Sequence, residues 1–171
     1  SIASARAGNV IGGGDYAKDR IVPDIIRALS SSEIIKVRNP KSIRPWQHVL
    51  EPLSGYLSLA AAMINDPKGL ATSFNFGPVL NDILTVEELV QQSVKCWGKG
   101  KYKKSAAGKS LHEAGLLKLD IGKAKKILGW GPKWTAKKAI VKSINWYKDS
   151  LTTNTNCFDL CLNDIEDYKA D

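Results

Sequence analysis

Ile43-Arg-Pro-Trp-Gln-His-Val-Leu-Glu51 sets a guanidinium beside a proline, an indole, an amide and an imidazole, immediately ahead of a helical pattern. A surface loop rarely needs that mixture. An arginine held between apolar neighbours is a pre-aimed fork of donors, suited to a phosphate or a carboxylate. Taken by itself, Arg44 serves equally well as a loop tether, donating to backbone carbonyls.

The flanking segments add context. Upstream lie Ala5-Arg-Ala-Gly-Asn-Val-Ile-Gly-Gly-Gly-Asp15 and Asp19-Arg-Ile-Val-Pro-Asp-Ile-Ile26. Ser1 to Ala7 reads as a short buried strand and Gly12 to Asp19 as a glycine-rich loop. Pro23 to Leu29 reads as a helix with proline near its start. Ile34 to Arg38 is strand-like and ends at the Asn39-Pro40 turn. From Glu51 to Ile64, Leu53, Leu57, Ala60, Ala61 and Ile64 recur at helical spacing, and Asn65-Asp-Pro67 stops the helix.

Further on, Ser73-Phe-Asn-Phe76 is a short strand opening into Gly77-Pro78. Thr85-Val-Glu-Glu88 is a capping box, predicting a helix to about Trp97 with Val86, Leu89, Val90 and Val94 inward. Lys99 to Lys109 reads as a mobile basic loop and Leu116 to Leu119 as a strand. Asp120 is expected to cap a helix ending at Gly129. Thr135 is expected to cap another, with Ala139, Ile140, Ile144 and Tyr147 on its inner face. Thr152 to Asn156 is a polar linker, and Phe158 to Tyr168 a short terminal helix.

The 171 residues, 43% of them hydrophobic, suit one domain with appendages. No apolar run approaches the roughly 18 residues of a membrane span, and the first residues do not read as a secretory signal. Cys96, Cys157 and Cys161 form no complete metal set with His48 or His112, and free thiols in a reducing cytoplasm are expected. The net charge of +8 is uneven. Lys95 to Lys142 contains 14 lysines against Glu113 and Asp120, whereas Asp149 to Asp171 contains six acids and one lysine. Such a field attracts anions. No nucleic-acid module accompanies it, so neither nucleic acid nor membrane is an expected partner. The acidic end is expected to lie over part of the basic region.

In order and spacing, the segments quoted above, with Phe74-Asn-Phe-Gly-Pro78, His112 to Asp120 and Ile127-Leu-Gly-Trp130, resemble the C-terminal part of the extended short-chain dehydrogenase/reductase family. Among its nucleotide-sugar enzymes, the wording of residues 6–15 and 44–56, and of Leu162-Asn-Asp-Ile-Glu-Asp-Tyr168, is similar to the CDP-glucose 4,6-dehydratase branch. The resemblance implies a mixed α/β substrate-binding domain lacking most of the Rossmann half. Residues 1–11 would be a terminal strand of that half, 12–150 the nucleotide-sugar-binding domain and 151–171 a tail.

No Gly-x-x-Gly-x-x-Gly follows a strand, and no Tyr-x-x-x-Lys occurs in the sequence. The chain therefore reads as the second half of an enzyme, inactive alone. NAD would be held mainly by an N-terminal Rossmann half, and the partner would be that half or another copy. No catalytic residue and no metal ligand is assigned. By the resemblance, intact relatives oxidise the sugar at C4 with NAD, eliminate water across C5–C6 and return the hydride to C6.

The resemblance also implies roles for individual residues. Asn9 would touch the sugar diphosphate, and Arg44 would clamp it. Arg20, with Lys18 as a competing candidate, and Ile21 would open the substrate-binding segment after the loop. Ile35 and Val37 would line the nucleobase pocket, though as residues they are ordinary strand positions. Asn75 and His112 would contact ligand, and Val10 would lie near the nicotinamide. Two other readings stay open: a non-catalytic nucleotide-sugar-binding or interaction module, and part of another dehydratase or epimerase acting on a different nucleotide sugar.

Overall fold

The chain opens as an extended ribbon that changes partners at Gly8. In the computed structural model, which describes residues 1–104 and 117–171, strand β1 (Ser4–Ala7) is followed by β2 (Asn9–Ile11). A Cβ on Gly8 would sit 2.6 Å from the Pro45 carbonyl oxygen, so glycine alone permits this close crossing. Then come α1 (Ile21–Ser30), β3 (Ile34–Val37), β4 (Ile43–Arg44), β5 (Trp46–His48) and α2 (Leu50–Asn65). The remaining elements are β6 (Ser73–Phe76), β7 (Leu84–Thr85), α3 (Val86–Trp97), β8 (Lys101–Lys104), α4 (Gly122–Leu128), α5 (Ala136–Thr152) and α6 (Cys157–Ala170). The strands form parallel pairs β1–β6, β2–β5 and β3–β8, and one antiparallel pair, β4–β7.

Two apolar clusters hold these pieces. The larger joins α1, β3, α3 and α5 through Ile25, Val37, Leu89, Val90, Ile140 and Ile144, all essentially inaccessible. The smaller joins α2, β6 and α4 through Leu59, Phe74, Phe76, Ala124 and Trp130. The capping box at Thr85 forms as its residues dictate: the Thr85 hydroxyl accepts from the Glu88 amide, and the Glu88 carboxylate accepts from the Thr85 amide. Helix α5 buries Ala139, Ile140, Ile144 and Tyr147 as the spacing predicts. Its lysines meet the acidic terminal helix: Lys142 pairs with Asp164 at 3.3 Å and also with Asp167, and Lys138 pairs with Asp171 at 2.5 Å.

Five points differ from the sequence reading. Asp120 does not occupy the cap of α4: the N-cap is Ile121, with no side-chain cap, and Asp120 Oδ1 accepts from the Gly122 amide at 2.7 Å. β1 is a strand but not a buried one. Ser4, Ala5 and Arg6 are exposed, and among the described residues its one neighbour is this chain's own β6. Helix α2 forms, yet the recurring stripe faces outward: Leu53, Leu57 and Ile64 are exposed, while Glu51, Pro52, Gly55 and Leu59 are buried. The reason is packing at Gly55, where a Cβ would lie 2.2 Å from the Phe76 ring, so α2 must present that side to β6. The basic segment after Lys99 is a strand over Lys101–Lys104, paired with β3, and not a loop there. Leu117 to Leu119 has no strand, although Leu117 N donates to Ile43 O at 3.3 Å.

Candidate functional site

The ladder between β2 and β5 fixes the centre of the site. Asn9 pairs with Trp46, Val10 with Gln47 and Ile11 with His48. The Asn9 amide donates to Pro45 O at 3.0 Å, which places Asn9 beside the residue that follows Arg44. Arg44 itself is half-buried on β4, opposite Leu84, and its Nη1 donates to the Ile43 carbonyl at 2.9 Å. Val10 is partly exposed on β2.

The glycine loop is bolted to α5. Tyr147 donates its hydroxyl proton to Asp15 O at 2.6 Å, and the Tyr147 hydroxyl oxygen accepts from the Asp15 amide at 2.8 Å. Gly13 lies flat on Trp146, with no room for a Cβ, which would fall 2.0 Å from the indole. The loop delivers Arg20 to the N-cap position of α1, where it makes no side-chain cap and pairs with Asp15 at 3.2 Å. Ile21 opens the helix. Asp19 accepts from Arg38 at 3.0 Å, so this end of α1 sits against the outgoing end of β3. The uncapped N-terminus of a ten-residue helix is a weakly positive place.

Ile35 and Val37 lie in the core at 2% and 0% exposure, so neither presents accessible surface to a ligand here. Asn75 on β6 uses its amide to hold Asp120 O at 3.1 Å. His112 lies outside the described residues. Asn9, Val10 and Arg44 are thus gathered around β5, and Arg20 and Ile21 stand where α1 meets β3.

Sequence reasoning left Gln47 and Glu51 without roles. Gln47 reaches across from β5 to donate to Phe76 O at 2.9 Å, stitching the two parallel pairs together. Glu51 is fully buried and accepts from the amides of Lys133 at 3.1 Å and Trp134 at 2.6 Å and from the Tyr168 hydroxyl at 2.9 Å. Burial pushes its carboxyl above the usual range, against these donors. His48 is 2% exposed. Its Nδ1 faces the Leu50 amide at 3.4 Å and its Nε2 stands 3.7 Å from Asp164, too far for a hydrogen bond. Burial first, and the Lys142 charge second, pull its pKa from 6.5 down to about 4. The structure encloses both groups as supports behind the strand.

Among the described residues, no three His, Cys, Asp or Glu side chains gather to hold a metal, and Cys96, Cys157 and Cys161 are free thiols. No helix among them is long and apolar enough to cross a membrane.

In sequence the chain is similar to CDP-glucose 4,6-dehydratase of Salmonella typhimurium, at 46% identity over 147 residues. These residues are 86% of this chain and 41% of that protein, so the chain spans about two fifths of its relative. No family model matches. In structure it is similar to dTDP-glucose 4,6-dehydratase of Streptomyces venezuelae with NAD bound, at a TM-score of 0.72 and 20% identity, covering 89% of this chain and 45% of that one. UDP-glucose 4-epimerase of Thermotoga maritima with UDP-glucose gives a TM-score of 0.69 and 22% identity, covering 87% and 46%. The fold is that of the extended short-chain dehydrogenases/reductases.

Solved structures of this extended dehydrogenase/reductase fold carry NAD, including the dTDP-glucose dehydratase of Bacillus anthracis. The residues described for this chain do not fit that cofactor on their own. The cradle that a glycine triplet can offer a pyrophosphate is filled here at Gly13 by the Trp146 ring. The triplet also opens no helix, since α1 begins seven residues beyond Gly14. The glycines serve packing.

Proposed function

We propose that this chain is the nucleotide-sugar-binding portion of a CDP-glucose 4,6-dehydratase. The observation that carries this reading is the 46% identity to the Salmonella dehydratase across 86% of the chain. The structural neighbours, at 22% identity or less in the cases above, bear on fold alone.

In this reading Arg44 holds the diphosphate of CDP-glucose. A charge-assisted contact from a half-buried guanidinium contributes about 2–3 kcal/mol. The Asn9 side chain donates to the same group. The N-terminus of α1, with Arg20 and Ile21, adds a helix-end attraction of about 0.3–1 kcal/mol. Ile35 and Val37 back the base pocket from the core, Asn75 adds a ligand contact, and Val10 borders the nicotinamide. These contacts are remote from the reacting carbons, so their work is positioning. NAD supplies the hydride chemistry and is held mainly by an N-terminal Rossmann half, which also carries the acid/base groups.

That half has a place to dock. β1 offers an unpaired edge among the described residues, and α2 turns Leu53, Leu57 and Ile64 outward. A parallel sheet with an apolar face would continue β1 and cover α2. The enzyme so completed works in the cytoplasm.

Calorimetric titration of the purified chain with CDP-glucose tests the reading, with UDP-, GDP- and dTDP-glucose as competitors. CDP-glucose should bind best, and Arg44→Ala should weaken it roughly 30- to 150-fold. Binding indifferent to Arg44→Ala removes the clamp, and equal binding of all four bases removes the CDP branch. The chain alone should not turn over CDP-glucose with NAD; turnover would show that no further half is required.

A further inference from the structure

The β3–β8 ribbon has two faces of opposite character. Ile35 and Val37 point into the core, while Ile34 and Lys36 face solvent together with Lys101 and Lys103. The register sets Ile34 opposite Lys101 and Lys36 opposite Lys103. Facing residues on adjacent strands lie about 4.8 Å apart, and alternate residues along one strand about 6.6 Å apart. Three lysines therefore project from neighbouring positions on one face of the ribbon. Like charges directly opposite each other destabilise a sheet. Among the described residues none of Lys36, Lys99, Lys101 and Lys103 makes an ion pair, whereas Lys104 at the end of the same strand pairs with Glu87 at 3.0 Å.

Beside this patch lies a cavity of about 430 Å³ bordered by Leu29, Ser32, Glu33, Ile34, Lys99 and Lys101. It stands where α1 ends and β3 begins, at the opposite end of both elements from Arg20 and Arg38. Its lining combines apolar Leu29 and Ile34 with two cations, Lys99 and Lys101, and one carboxylate, Glu33.

We propose that this cavity and the ribbon beside it form a second ligand site, for a small organic polyphosphate. The phosphates lie along Lys36, Lys103 and Lys101, where an anion relieves the cross-strand repulsion, and the organic part enters the cavity between Leu29 and Ile34. The ribbon's shortness favours a compact ligand over a polymer, and the solvent face of β3 and β8 presents no aromatic ring on which a nucleic-acid base could stack. A single exposed apolar residue, Ile34, is too little for a membrane surface.

The test uses the full chain carrying Arg44→Ala, so that binding at the proposed sugar-nucleotide site is weakened. ATP and inorganic triphosphate are titrated by calorimetry at low and moderate salt. ATP should bind more tightly than triphosphate. Lys36→Gln with Lys103→Gln should weaken both at least ten-fold while raising the ligand-free melting temperature. Glu33→Gln should tighten triphosphate by removing an opposing charge. Undiminished binding in the double variant overturns the site, as does ATP binding that is present in the native chain but abolished by Arg44→Ala. Triphosphate binding as tightly as ATP overturns the role of the cavity. Duplex DNA binding more tightly than ATP, and equally lost in the double variant, overturns the ligand class.

Discussion

Lowering the pH from 7.5 to 4.5 should destabilise the fold through His48. In the unfolded chain this imidazole takes its proton near 6.5, and in the folded one near 4, because it is buried and Lys142 repels it. The carboxylate of Asp164, 3.7 Å away, would ordinarily oppose this, but Lys142 already pairs with it. A group with a depressed folded pKa contributes stability that is present above the unfolded value and is lost as pH falls toward the folded value. The window is therefore 6.5 to about 4. The full loss is about 3 kcal/mol, of which about 2 kcal/mol is gone by pH 5. Glu51 and Asp164 work in the opposite direction: burial raises both, so their protonation favours the folded state as pH falls. A single pH profile mixes these effects, and the comparison with His48→Gln separates them. Urea denaturation of both proteins at intervals of one pH unit gives the difference curve. It should be flat above pH 7 and then turn against the native protein by about 2 kcal/mol at pH 5. Two profiles that stay parallel from 7.5 to 4.5 would refute the reasoning.

Two substitutions probe the scaffold behind the site. Gly13→Ala drives a methyl into the Trp146 ring and should destabilise by about 1–3 kcal/mol, read as a lower urea midpoint with unchanged slope; an unchanged midpoint would mean the loop can lift off α5. Tyr168→Phe removes the hydroxyl shared by Glu51 at 2.9 Å and Ser54 at 3.0 Å. It should cost about 1–3 kcal/mol and speed hydrogen exchange in α6 but not in α3.

The order of elements was largely legible because it rests on local signals. The Thr85 box, the glycine at 129 and the stripe on α5 each act within one or two turns. The facing of α2 was not legible, because periodicity gives a stripe but not what lies against it, and Gly55 against Phe76 is a contact between distant residues. β8 was hidden for a related reason. Lysine is a poor strand former, and Lys101–Lys104 becomes a strand through pairing with β3 and the hydrogen bonds of Tyr102 to Glu87 and Gln91. Around the site, residue types pointed to Arg44 and Asn9, which the β2–β5 ladder does bring close. Nothing local announced that Glu51 would reach the amides of Lys133 and Trp134.

The stretch that decides the fold divides at Pro45. Before it, Arg44 is half-buried on a two-residue strand; after it, Trp46, Gln47, His48 and Glu51 are all buried and tied to three different parts of the chain. Gln47 holds β6, His48 lies against Trp134, and Glu51 holds the 133–134 turn and α6. An arginine on a free loop must be ordered by its ligand, at a cost of up to about 2 kcal/mol for a long side chain. An arginine whose backbone is fixed from behind has lost part of that freedom before any ligand arrives. With Arg44 as the clamp proposed above, the buried polar residues after Pro45 would act on affinity through rigidity. Loosening them should slow nothing directly, and should instead weaken binding in proportion to the disorder passed to Arg44.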